Sequence, residues 1–184
     1  MSSVSSSNAT SRCSIHIAKT KDEVEACYDI RMEVFVVEQG FPVDTEIDDY
    51  DPISTHFFLN VPITDPPPES TSFITLPSVT SSSTLKPVGT VRWTPSKAKV
   101  SRLALLPAAR KQGYGRQLLE AVHRHAEETA STEEMRSVSE RSGEKSIYAI
   151  PFYEKMGYAA EGPEFDEDGA PHMRMVRQIA FEPL

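Results

Sequence analysis

Residues 100–119 read Val-Ser-Arg-Leu-Ala-Leu-Leu-Pro-Ala-Ala-Arg-Lys-Gln-Gly-Tyr-Gly-Arg-Gln-Leu-Leu. An apolar, strand-like stretch ends at Pro107, a basic R-x-x-G-x-G hexapeptide follows, and a helical pattern starts at once. Glycines at 113 and 115 allow a tight turn and let backbone N–H groups face a ligand. A helix that begins behind such a loop carries partial positive charge at its start and suits a phosphate. Arg110, Lys111 and Arg116 add formal charge around Gln112 and Tyr114. The string therefore reads as a pyrophosphate cradle. It is not a P-loop, because no Gly-Lys-Ser/Thr occurs. It also departs from the dinucleotide fingerprint, whose third small residue is replaced by Leu118 and whose strand would run directly into the loop.

The 184-residue chain suits one domain with a real core. Its net charge of −8 argues against a nucleic-acid or anionic-membrane partner, with the glycine loop as a local basic exception. Two cysteines, Cys13 and Cys27, make no disulfide framework, and Cys27 reads as a core residue. No apolar run approaches the length of a membrane span, and the N-terminus has no signal-peptide core, so cytosol or nucleus is the expected compartment. Residues 1–14 read as a disordered Ser-rich tail. Residues 62–84, dominated by Pro, Ser and Thr, read as a disordered insertion within a single domain spanning 15–184.

The elements that must position the loop follow from periodicity. Ser14 to Ala18 reads as a strand. Thr20 to Glu23 is a capping box opening a helix with Val24, Cys27, Ile30 and Val34 near one face, ending before Gln39-Gly40. Phe41 to Pro52 is an acidic loop. Strands are expected at Thr55–Val61, Pro87–Trp93, Lys97–Leu106 and Met173–Ile179. Gly113 to Thr129 reads as a helix with Leu118, Leu119, Val122 and Ala126 inward and His123 and His125 solvated. Phe152 to Met156 is a short helix ended by Gly157. No metal site is expected.

Three ordered segments resemble the GNAT superfamily of N-acetyltransferases, in its ElaA-like branch. The first is the R-x-x-G-x-G loop itself. The second is Arg31-Met-Glu-Val-Phe-Val-Val-Glu38-Gln39, followed by Glu46-Ile-Asp48-Asp-Tyr-Asp51 and His56. The third is Phe152-Tyr153-Glu-Lys-Met-Gly157-Tyr158, with the ending Asp168-Gly-Ala-Pro171-His172. The resemblance implies an α/β (α+β) fold: a mixed, largely antiparallel sheet flanked by helices and splayed at an acyl-CoA slot. It implies acetyl-CoA as co-substrate. The loop amides would hold the pyrophosphate, and the strand Leu103, Ala104, Leu105 would pair with the pantetheine arm.

By the same resemblance, the reaction moves an acetyl group to a primary amine, of a small molecule or less readily of a protein, on a monomer or homodimer. Tyr153 is then the candidate acid for the departing thiolate, its phenol pKa near 10 suiting a late proton donation. Glu38 and His56 are the candidate bases, the histidine being closer to neutral pKa. Glu46 and Asp48 could attract a cationic amine, and His172 could line the acceptor pocket. One segment departs from the family. Met135 to Ser146 stands where an apolar strand is expected, yet it is charged and carries a single Val. That departure supports the alternative of a catalytically impaired GNAT-fold binding or interaction protein, or of a defective isoform lacking a complete fifth strand.

Overall fold

The computed structural model describes residues 13–62, 85–129, 140–142, 149–167 and 170–177. The expectations for most of the N-terminal tail and for the insertion after Pro62 lie outside these residues.

The chain enters through β1 (Ser14–Ile17) and turns into α1 (Lys21–Arg31). Thr20 caps α1 as the sequence indicates: its hydroxyl accepts from the Glu23 amide, and the Glu23 carboxylate accepts from the Thr20 amide at 2.9 Å. The α-helical register stops at Arg31. The helix continues as a π segment over Met32–Glu38, where the Gln39 amide reaches back five residues to the Val34 carbonyl at 3.2 Å. The extra residue per turn lets the chain stay helical as far as Glu38 while shifting which side chains face the sheet. The acidic loop that follows contains two short 3₁₀ turns, Val43–Thr45 and Asp51–Ile53.

Four long antiparallel neighbours make the body of the sheet: β1, β2 (Thr55–Pro62), β3 (Leu85–Thr94) and β4 (Lys99–Leu105). Beyond β4 lie β5 (Glu140–Ser142), β9 (Met175–Arg177) and β6 (Ala159–Ala160), giving the order β1-β2-β3-β4-β5-β9-β6. All pairs are antiparallel except β4–β5. A separate ribbon pairs β7 (Phe165–Glu167) with β8 (Ala170–His172). Of the charged segment Met135 to Ser146 only Glu140–Ser142, as β5, lies among the described residues, and the rest of that expectation lies outside them. Helix α2 (Tyr114–Thr129) and the short α3 (Ile150–Lys155) complete the fold.

The two faces of the sheet differ in chemistry because side chains alternate along each strand. One face carries Phe57, Leu59, Val91, Trp93 and Val100, packed with Leu118, Leu119 and Val122 of α2 and Tyr153 of α3. Each buried aliphatic side chain there contributes roughly 1.5–3 kcal/mol. The other face carries His56, Arg92 and Ser101 in one cross-strand row, with α1 over it. All three of those polar residues are buried.

The histidines of α2 correct an expectation. His125 packs edge-on against Phe57. His123 is buried, and its Nε2 lies 2.8 Å from the Tyr158 hydroxyl. The helix turns His123 inward one residue after Val122, where the polar partner from the turn after α3 makes burial affordable.

Candidate active site

The strand that should meet the acyl arm is irregular where it matters. Arg92 of β3 faces Ser101, while Thr90 faces Ala104, so two residues of β4 oppose Val91. This is a bulge, and Arg102 within it has φ +55°, a left-handed conformation that a non-glycine residue adopts only when its surroundings enforce it. The enforcing contacts are Arg102 Nη2 donating to the Thr45 carbonyl at 2.9 Å, with Glu46 and Asp48 carboxylates at 3.4 and 3.5 Å. The described pairing of β4 with β5 lies before the bulge. The β5 register covers only Lys99 and Val100, and Ser101 to Leu105 run on with no described strand partner on that side. A strand edge offers amide and carbonyl groups to an extended ligand wherever no neighbouring strand takes them.

The loop after β4 sits at the end of that edge. Lys111 and Gly113 both have positive φ, +61° and +82°, so the backbone curls and exposes successive N–H groups. A Cβ at Gly113 would meet nothing within 4 Å, so the glycine serves conformation and ligand approach. The first hydrogen bond of α2 runs from the Gln117 amide to the Gly113 carbonyl, and the amides before it lack helical partners. Exposed Lys111, Gln112 and Gly113 leave this cradle accessible. The arrangement fits a pyrophosphate joined to an extended arm.

Two of the three loop cations are neutralised by the protein. Arg110 forms a two-pronged pair with Glu38, Nη1–Oε1 2.6 Å and Nη2–Oε2 2.5 Å, and its Nε donates to the Leu105 carbonyl at 3.0 Å. Arg116 pairs with Glu120 at 2.7 Å one turn along α2. Lys111 has no described ion pair and remains to face an anion.

The acidic loop does not keep its charge either. Arg31 Nε meets Glu46 at 2.5 Å, and Arg31 Nη1 meets Asp51 at 2.6 Å; Arg31 Nη2 also donates to the Glu46 carbonyl. Arg92 holds Asp48 through two hydrogen bonds of 2.7 and 3.0 Å, reaches Asp51 at 2.9 Å, and donates from Nε to Ser101 Oγ at 3.0 Å. With Arg102, three guanidinium groups balance Glu46, Asp48 and Asp51. Burial alone would raise the Asp51 carboxyl, but Arg31, the Asp48 amide and Arg92 outweigh it and hold the pKa at about 2. Glu46 and Asp48 are therefore spent within the protein. Of the functional groups in this cluster, Arg92, Ser101 and Arg102 escaped sequence reasoning. The available signal was the alternation Thr90, Arg92, Thr94 between Val91 and Trp93, a polar face on an otherwise apolar strand.

His56 lies against this cluster, its Nε2 3.0 Å from the Asp51 carbonyl and its ring edge-on to Tyr28. Its Nδ1 is buried with no hydrogen-bond partner among the described residues. Burial pushes its pKa below the usual 6.5, against the opposing pull of Asp51. Glu38 is the reverse case: the Arg110 hydrogen bond holds its carboxyl below the usual range despite some burial. Tyr153 is almost fully buried, at 1% exposure, edge-on to both Phe152 and Tyr158. His172 stands apart on the β7–β8 ribbon, stacked on Phe165. Among the described residues no three His, Cys, Asp or Glu side chains group to hold a metal ion, and no helix is long and apolar enough to cross a membrane.

Comparison with known proteins places this geometry. Residues 78–179 match the family model described as an acetyltransferase (GNAT) domain. A Bacillus subtilis (strain 168) protein named as an acetyltransferase is 28% identical over 167 residues, 86% of this chain and 92% of that one. YjcF of the same organism, named as an N-acetyltransferase, is 27% identical over 164 residues, 88% and 96% of the two chains. Among solved structures, an N-acetyltransferase from Lactobacillus plantarum superposes with a TM-score of 0.67 at 26% identity, covering 91% of this chain and 99% of that one. Escherichia coli ElaA shares the fold, with a TM-score of 0.65 at 18% identity and coverage of 92% and 100%. With a bulged β4 leading into a curled R-x-x-G-x-G cradle, and with that match over more than half its length, the chain belongs to the GNAT superfamily of acyl-CoA-dependent N-acetyltransferases.

Proposed function

We propose that this protein transfers an acetyl group from acetyl-CoA to the primary amine of a small molecule, in the cytoplasm and without a metal. The observation that carries the reading is the bulged β4 running into the amides of the Lys111–Gly113 curl. That geometry supports the pantetheine arm along Leu103, Ala104 and Leu105, and the pyrophosphate on the backbone from Arg110 to Arg116. Acyl transfer needs a neutral amine, stabilisation of negative charge on the thioester oxygen, and a proton for the leaving thiolate. A backbone N–H of the Leu103–Leu105 edge serves the second task, and the Tyr153 hydroxyl the third.

For the first task His56 is better suited than Glu38. Its ring is held neutral near physiological pH, and with Nε2–H donated to the Asp51 carbonyl, Nδ1 keeps a lone pair. The neutralised acidic cluster leaves Asp44 and Asp49 as exposed carboxylates of the same loop, suited to attract a cationic amine. A second reading, a GNAT-fold protein that binds CoA with little turnover, draws on the charged sequence of Met135 to Ser146 where the family has an apolar strand.

The test is acetyl-CoA-dependent thermal stabilisation followed by thiol release against a panel of amines. Stabilisation with release supports the transferase, and stabilisation without release for any amine supports the second reading. A folded protein that ignores millimolar acetyl-CoA would falsify both.

A further inference from the structure

We propose that Glu38 is a positioning residue: through Arg110 it locks the end of the π segment to the end of β4 and so fixes the shape of the phosphate cradle. The proposal rests on the acyl-CoA reading of that cradle. It gives Glu38 a task other than taking the proton of the amine.

Three features carry it. First, the pair is two-pronged, the geometry in which arginine and carboxylate constrain each other most, and the partners are 72 positions apart in the chain. Second, the same guanidinium binds the carbonyl of Leu105, the last residue of β4. Nε, Nη1 and Nη2 are all engaged, so Arg110 ties together the strand end, the loop start and the π segment. Third, Glu38 is delivered to this position by the π segment, its last residue, and the helix stops there at Gln39.

The pairing also reassigns the loop's charge. Glu38 cancels Arg110, so the anion is met by backbone amides and Lys111. Loss of Glu38 would free Arg110 and relax the loop, an effect on cofactor affinity. It would leave the proton acceptor for the amine in place.

The experiment uses the full chain and coenzyme A as the probe in calorimetry, with steady-state kinetics on the amine that the panel identifies. Glu38→Ala is expected to weaken coenzyme A binding ~10-fold and to raise the KM for acetyl-CoA similarly. The kcat at saturation should change by less than ~3-fold, and the acidic limb of its pH profile should stay in place. Glu38→Gln, which keeps the shape and one neutral hydrogen bond, should fall between. In a double-mutant cycle with Arg110→Ala the second loss should add little to the first, as coupled partners require. Unchanged coenzyme A affinity in Glu38→Ala, with the parent binding normally, overturns the lock. So does a kcat loss of ~10²-fold with the acidic limb abolished, the signature of a base. A parent that binds no coenzyme A overturns the acyl-CoA reading itself, a distinguishable failure.

Discussion

Gly115 and Phe152 meet where α2 leaves the phosphate cradle: a Cβ at 115 would lie 3.4 Å from Phe152 Cζ and 3.5 Å from a Leu105 methyl. The two loop glycines therefore serve different ends. Gly113 has open space but positive φ, and Gly115 has tight neighbours. Gly113→Ala should destabilise by roughly 1–2 kcal/mol through backbone strain. Gly115→Ala should melt close to the parent, since its added methyl just fits and its helix propensity improves. Gly115→Val should push Phe152 against Tyr153 and lower turnover more than stability. Thermal melts beside steady-state rates separate the three, and equal losses for Ala and Val at 115 would contradict the packing argument.

The buried ion cluster predicts acid sensitivity. Asp51 has its pKa depressed from 3.8 to about 2 in the fold. Its contribution, about 2 kcal/mol, is then fully present above roughly pH 4 and is lost as pH falls through 2. Urea unfolding at pH 2 to 6 should show this slope. Asp51→Asn should flatten it and should cost about 3 kcal/mol at neutral pH by leaving Arg31 short of a partner. An unchanged slope would place the acid-sensitive group elsewhere.

For His56 the sign is opposite to that of a paired histidine. Burial lowers its pKa, so it gains a proton only below 6.5. If it accepts the amine proton, the acidic limb of kcat should lie below pH 6.5. His56→Gln should remove that limb and cost ~10²-fold in kcat. A limb that survives the substitution identifies a different base.

Tyr153→Phe removes a hydroxyl and keeps a ring packed edge-on to Phe152 and Tyr158. Melting temperature and acetyl-CoA affinity should hold while turnover falls ~10²-fold or more. Equal turnover would reduce Tyr153 to a core aromatic.

Much of this was readable one residue after another. Thr20 and Glu23 announced a capping box because its partners are three positions apart, and the R-x-x-G-x-G string announced its own loop. The mixed, largely antiparallel sheet flanked by helices followed from the ordered motifs. Features that depend on distant partners were hidden. Arg31, Arg92 and Arg102 join Glu46, Asp48 and Asp51 only after the sheet forms, so the acidic loop looked like an open charge. The π segment was invisible because Met32 to Val37 is apolar enough to satisfy either helical period. His123 looked solvated because its partner, Tyr158, lies 35 positions away. Around β5 the sequence Met135 to Ser146 is too charged for any alternation to register.

The buried cluster beneath α1 also narrows how this sequence can drift. Arg31, Arg92 and Arg102 share Glu46, Asp48 and Asp51, so exchanging one member strands an uncompensated charge in the interior. Neutral change at these six positions therefore has to travel in compensated pairs.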